Sequence, residues 1–486
     1  MFKVPVYLLM LTREEFEETY GTVSDPLFAF ICGMSSRLDE VEALLLQFKS
    51  RLDKNSDNSH KPPSTDGYKK KPVSLRTKSG KKSGGQAGHP GKTLEFSDKP
   101  DYVKTHEPEC CGNCGNDLKD TPPILIEKKQ SFDVPPTTLE STEHRLVAKC
   151  CAKCGKSTQG VFPEEIKHSV QYGPNLTAII LYLINYQLLT TKRTQELLKD
   201  IFETDLSEAT LYRMTKRASE TLVPVEEKIK EALQKSEVIH CDETGARING
   251  SLHWIHVVCT LMWTFYHSSK RRGAIAMDEI GILKNFLGTA VHDGWKSYFQ
   301  YLCKHGLCNV HHLRELKGVF EQTGQTWLSD MTSVLIDAKE AVDKAAALGL
   351  TAVEPAVLLD LEIRYRAAVE AGNAANPLPE PTGKKGKRKR TAGGNLVRRL
   401  EENQSETLAF LYDFNVPFGN NLAERDIRMV KVKLNISGSF RTVEGAKIFC
   451  TIRGYISTMR KQGHNVLTAL RSVAVGKPIE PNYDAK

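Results

Sequence analysis

The sequence predicts a multidomain chain built around a mixed α/β core with a helical insertion, preceded by a helix, a zinc-binding module and a helical region. Three observations predict this. Short β-prone runs, Val238–Cys241, Trp254–Cys259, Met262–Tyr266 and Ala290–His292, give way to Ala- and Leu-rich helical periodicity over 329–372, and strands followed by helices indicate a mixed core. Two Cys-x-x-Cys-Gly motifs lie ahead of those strands. Near the N-terminus, apolar residues recur every seven positions. With 486 residues, 40% of them hydrophobic, the chain has material for about three folded units at roughly 150 residues each.

Residues 1–52 read as an N-terminal helix or zipper. Ile31, Leu38, Leu45 and Leu52 are spaced by seven, with Met34, Val41 and Phe48 three after the first three. This a/d seam over 25–52 suits a coiled coil with a second copy or a helix packed on its own chain. The apolar start, Val4–Leu11, is short, lacks a small-residue cleavage site and runs into Thr12-Arg13-Glu14-Glu15, so no signal peptide is expected. No run is long enough to span a bilayer, and the expected location is the cytoplasm.

Residues 53–105 read as a basic flexible linker. The formal net charge is +8, and Lys61–Lys92 alone holds nine Lys or Arg against one acid, Asp66. A second basic run occupies Lys384–Arg390. Such concentrations suit phosphate neutralisation, or else a solubilising linker. Gly85–Thr93 looks like a phosphate-binding loop, but Gln86 stands where its first glycine belongs, Pro90 removes an amide donor, and no strand precedes it. Nucleotide binding is therefore rejected.

Residues 106–165 hold the motifs Cys111-Gly112-Asn113-Cys114-Gly115 and Cys151-Ala152-Lys153-Cys154-Gly155, with 36 residues, 115 to 150, between Cys114 and Cys151. With Cys110 and Cys150 each just ahead of a motif, six of the twelve cysteines fall in two clusters and the rest in apolar contexts, which argues against a disulfide framework. Each motif sets two thiolates on one turn. Together Cys111, Cys114, Cys151 and Cys154 would complete one structural, tetrahedral Zn²⁺ site, a redox pair being the alternative. Strands over Glu127–Val147 would fill the gap.

Residues 166–235 read as helical. A helix over Arg193–Phe202, a turn at Glu203–Leu206 and a helix from Ser207 to about Ala218 form a helix-turn-helix, with Arg213, Lys216 and Arg217 toward DNA, or an ordinary helical pair.

Phosphoryl transfer on DNA uses two divalent ions held by a few carboxylates. Asp242 and Asp293 each follow a predicted strand and stand before a glycine-bearing turn, 51 positions apart. A third acid must come from elsewhere. Glu424 lies in the first turns of a helix capped by Asn420 or Asn421, with Arg428 and Lys431 on the same face, but on the residues alone Glu243 and Asp426 are equal candidates. Cys308–His312 reads as a structural motif, because Mg²⁺ prefers oxygen ligands.

Taken in order, Asn55–Ser64, Gly84–Gly91, the two cysteine motifs, His240–Gly245, Val291–Trp295, His311–Leu316 and Val416–Arg425 resemble the IS66 family of insertion-sequence transposases over nearly the whole chain. The resemblance implies an RNase H-like catalytic domain over 236–440, with a helical insertion at about 315–410 and a C-terminal helical segment over 441–486. It implies the triad Asp242, Asp293 and Glu424 holding two Mg²⁺, with Mn²⁺ as substitute. The implied activity is cleavage and strand transfer of double-stranded DNA at terminal inverted repeats, by a homodimer or larger assembly, with accessory proteins of the same element. Gly419 departs from the family pattern, which usually has Asp there. The competing readings are an RNase H-like nuclease without strand transfer and a zinc-containing DNA-binding regulator that has lost its chemistry.

Overall fold

The structure, a computed structural model, describes residues 94–134, 137–378 and 390–482 together with scattered positions between 26 and 59. It divides into two compact units, one of Met1–Val73, Pro163–Thr194 and Glu208–Lys486, the other of Ser74–Phe162 and Gln195–Ser207. The Lys61–Lys92 run, the Gly85–Thr93 loop and nearly all of the second basic run lie outside the described residues.

In the smaller unit, β1 (Ala148–Cys150) and β2 (Ser157–Gln159) pair antiparallel around the second cysteine motif. Both motifs close the same way. The Gly115 and Gly155 amides donate to the Cys111 and Cys151 carbonyls, each at 2.8 Å, and both glycines are left-handed, at φ +75° and +68°, where a side chain would be strained. The strands expected over Glu127–Val147 do not form among the described residues, because no neighbouring strand offers that stretch a ladder.

The larger unit is built on a five-stranded sheet of β3 (Val238–Ile248), β4 (Ser251–Cys259), β5 (Thr264–Ser269), β6 (Thr289–His292) and β7 (Lys304–Leu307), in the order β5-β4-β3-β6-β7. β3, β4 and β5 form an antiparallel meander, while β6 runs parallel to β3 and β7 parallel to β6. Asn249-Gly250 turns β3 into β4 with both residues at positive φ, the geometry such a pair adopts in tight hairpins. β3 does not end at Cys241 as expected. Its β4 edge stays paired to Ile248, whereas its β6 edge stops at His240. Asp242 therefore lies inside a strand, at the point where one edge of that strand opens.

The helices in chain order are α1 (Pro174–Leu181), prolonged by a π-turn at Tyr182–Tyr186, α2 (Thr191–Phe202), which passes into the smaller unit at Gln195, α3 (Glu208–Gln234), α4 (Ala274–Ile280), α5 (Asn309–Thr323), α6 (Thr326–Ala347), α7 (Pro355–Ala375), α8 (Ala392–Glu402), α9 (Asn421–Ser437), α10 (Val443–Lys461) and α11 (Val466–Val475). α3 runs well beyond Ala218, through Pro224, because its apolar spacing continues in Leu222, Val225, Ile229 and Leu233, all buried. Strand alternation sorts the core. Ile239, Cys241 and Val258 pack with α3, α10 and α11, whereas Ala246, Ile248, Ile255 and Val257 pack with Ala423, Ile427 and Val430 of α9. Helices α5 to α8 form a further cluster that includes Val291 of β6.

The described positions from 33 to 52 are helical. Met34, Leu38, Val41, Leu45, Phe48 and Leu52 are all at least half exposed; Ile31 lies outside the described residues. Among the described residues, no helix is long and apolar enough to cross a membrane.

Candidate active site

Asp242 lies in β3 and Asp293 directly after β6, neighbouring parallel strands whose last pair is His240 with Val291, so each Asp stands two residues past that pair. Ligands of open α/β sheets gather at such carboxyl ends. Alternation turns Asp242 toward the α9 face and Glu243 toward the other. The Asp242 carboxyl accepts the Glu243 amide at 2.8 Å. It is nevertheless pushed up to about 8, chiefly by burial, then by the charge of Glu243, and further by those of Asp293 and Glu424. The charges of Asp293 and Glu424 thus both reach the Asp242 carboxyl.

Asp293 is exposed and accepts the Trp295 amide at 3.0 Å. Its loop is held by a relay of neutral imidazoles. The Gly294 amide donates to His292 Nδ1 at 3.0 Å, which leaves His292 Nε2 to donate to His305 Nδ1 at 3.0 Å and His305 Nε2 to donate to the Tyr301 carbonyl at 3.2 Å. Burial lowers His292 to about 3, consistent with an uncharged ring.

Glu424 is brought in by Asn420. That residue occupies the N-cap of α9 without making a side-chain cap. Its Nδ2 instead donates to the Cys241 carbonyl at 2.7 Å, its Oδ1 meets His240 Nδ1 at 2.9 Å, and its backbone amide donates to Cys308 Sγ at 3.1 Å. The first turn of α9 is thereby bolted to β3 beside Asp242, and the Glu424 amide donates back to the Asn420 carbonyl. Gly419 sits tightly here: a Cβ would meet Val310 Cγ2 at 2.8 Å, so a larger residue would require the Val310 side chain to shift.

Glu424 Oε1 is buried without a hydrogen-bond partner. His311 Nε2 stands 3.8 Å from it, and ligand atoms of Cys308, His311 and Glu424 all lie within 4.8 Å of one another. An orphaned carboxylate oxygen amid acids that repel one another fits a cation. Mg²⁺ ligand preference alone favours a structural role for Cys308–His312, but Cys308 and His311, three residues apart across the start of α5, turn toward Glu424. His312 points elsewhere, to Asn309 Oδ1 at 3.1 Å.

The two competing acids are committed. Glu243 accepts Arg272 Nε at 3.0 Å and the Tyr298 hydroxyl at 2.6 Å, while the Arg272 guanidinium lies over the Trp295 and Trp254 rings at 4.2 and 4.7 Å. Asp426 pairs with Lys461 Nζ at 2.6 Å and accepts the Thr264 hydroxyl at 3.0 Å.

Of the cations singled out for DNA, Arg428 and Lys431 are exposed on α9, and Arg213 and Arg217 on α3. Lys216 is engaged by Glu444 at 2.7 Å. The thiols of Cys111 and Cys151 are lowered by amides of their own turns, Asn113 and Cys114 in one and Cys154 and Lys153 in the other, as suits thiolate ligands. Among the described residues, Cys111, Cys114, Cys151 and Cys154 are not drawn into one metal-ligand cluster.

The family described as Transposase IS66 family matches residues 169–448, which include the whole sheet, Asp242, Asp293 and Glu424. A family of unknown function (DUF6444) matches residues 12–95. No curated protein matches the chain.

Proposed function

The chain belongs to the IS66 transposase family, and from that premise we propose that it is a DDE-type transposase, cutting and rejoining DNA at the ends of its element with Asp242, Asp293 and Glu424 as metal-binding acids. One observation carries the reading: the charges of Asp293 and Glu424 both bear on the partly enclosed Asp242 carboxyl, while Glu424 Oε1 has no hydrogen-bond partner. The strand order, with an antiparallel meander extended by two parallel strands, supports an RNase H-like catalytic core.

Asp242 and Asp293 would hold Mg²⁺ from the sheet side, and Glu424 from α9. A Mg²⁺ pair supplies Lewis-acid assistance to an in-line displacement at phosphorus. Asn420 keeps Glu424 in register with β3, and the imidazole relay keeps the Asp293 loop in place. Arg428 and Lys431, one and two turns beyond Glu424, would neutralise phosphates on either side of the scissile bond. Cleavage of a duplex carrying the element's terminal inverted repeat, in the presence of Mg²⁺, tests the reading.

The cysteine hooks would share one structural Zn²⁺. Elemental analysis of freshly reduced protein should find one zinc per chain, lost in a Cys111→Ser, Cys151→Ser variant; protein free of zinc sinks the assignment. The exposed seam would pair with a second copy, since an apolar stripe is stable in water only when covered. Removing residues 1–52 should lower the association state in sedimentation and leave zinc content unchanged. An unaltered association state would rule out the zipper.

A further inference from the structure

Between the apolar helix and the basic run lies Asn55–Ser64, a motif to which the catalytic reading gives no task. Its described part is not free linker. Asn58 is only 9% exposed. Its Nδ2 donates to Glu321 Oε2 of α5 at 2.6 Å and to the Asp53 carbonyl at 3.1 Å, and its Oδ1 accepts the Asn55 amide at 2.7 Å. The Ser59 hydroxyl closes the turn on the Asn55 carbonyl. Opposite this turn stands Gly318, buried in the middle of α5. Its φ is not in the left-handed region, so the helix itself does not call for glycine, which costs about 1 kcal/mol against alanine in a helix interior. A Cβ at Gly318 would overlap the Asn58 carbonyl oxygen and crowd its carbonyl carbon. The contact is backbone against backbone, so no side-chain rotation relieves it.

We propose that Gly318 and Glu321 form a docking notch on α5 whose occupant is the chain's own Asn55–Asn58 turn, and that this dock mounts the N-terminal helix on the catalytic unit. α5 begins beside the carboxylates, with His311 seven residues before Gly318. At 1.5 Å per residue the mount sits roughly 10 Å along the helix from the candidate metal site. The helix that ends near Leu52 departs from this fixed point. Self-association through the apolar seam therefore sets where two catalytic units stand, which a loose linker would not do.

The sign of one substitution separates a dock from an incidental contact. Gly318→Ala in an unoccupied helix raises stability. Against an occupied notch it expels the turn. In hydrogen exchange on the full-length protein, Gly318→Ala should speed amide exchange over 53–59 about ten-fold or more while α5 stays protected. Unchanged exchange over 53–59 with a raised melting temperature overturns the proposal. A second arm leaves the helix untouched. Asn58→Asp sets a carboxylate against Glu321 and should release the turn; adding Glu321→Gln restores a donor for it and should return the exchange to the parental rate. If Asn58→Asp exchanges like the parent, the notch is not a dock. None of these readouts needs DNA or metal, so they stand whether or not the transposase reading does.

Discussion

Asp242→Asn should abolish end cleavage while leaving the protein folded and bound to element-end DNA. The substitution keeps the size of the side chain and removes the charge that would hold Mg²⁺. A lost metal contact costs several kcal/mol of transition-state stabilisation, on the order of thousands-fold in rate. Glu424→Gln and Asp293→Asn should do the same. Asp242→Asn should also stabilise the metal-free protein. Its folded carboxyl, at about 8, lies far above the unfolded aspartate value, so folding is penalised as pH rises from about 4, fully so above about 8. Removing the charge removes that penalty, and with it the gain in melting temperature that Mg²⁺ should give the parent above pH 8. Cleavage, end binding and thermal melting with and without Mg²⁺ are the three measurements. An Asp242→Asn protein that cleaves at the parental rate excludes Asp242 as a metal-binding acid.

The sequence exposed this site unevenly, for identifiable reasons. Asp242 and Asp293 were visible because β-prone runs of Val, Ile and His lead into each, and strand ends in mixed sheets are where ligands meet. The length of β3 was hidden: Glu243–Ile248 is polar and glycine-bearing, and it is strand because β4, returned by the Asn249-Gly250 turn, pairs with it to the end. Glu424 could not be separated from Asp426 or Glu243 on the residues alone, because the choice depends on which face each acid takes. Alternation along β3 turns Glu243 away to Arg272, and two further residues along α9 turn Asp426 to Lys461. Asn420 shows the same limit. Its position promised a helix cap, yet its amide serves the Cys241 carbonyl 179 residues away. The continuation of α3 past Ala218 is legible in the apolar spacing of Leu222, Val225, Ile229 and Leu233.

Asp426→Asn should leave chemistry intact and weaken the fold, the reverse of the result expected at Glu424. Asp426 and Lys461 side chains are each 12% exposed, and Lys461 Nζ also donates to the Thr260 and Trp263 carbonyls at 2.8 and 3.1 Å. The pair therefore ties α9 to α10 and both to the β4–β5 turn. Removing one partner of a buried pair costs about 3–5 kcal/mol, because the other charge is left desolvated. With some water still reaching both groups, a cost near the lower end, about 3 kcal/mol, is expected, seen as a melting temperature several degrees lower. Adding Lys461→Met to the same chain should recover most of it, since no buried cation is then left unpaired and the amide introduced by Asp426→Asn can still accept the Thr264 hydroxyl. Through both changes the rise in melting temperature on adding Mg²⁺, and the cleavage rate below the melting range, should match the parent. If Asp426→Asn instead melts like the parent but loses its response to Mg²⁺, then Asp426 rather than Glu424 is the third acid, and α9 must turn by about 200° to present it, two residues at about 100° each.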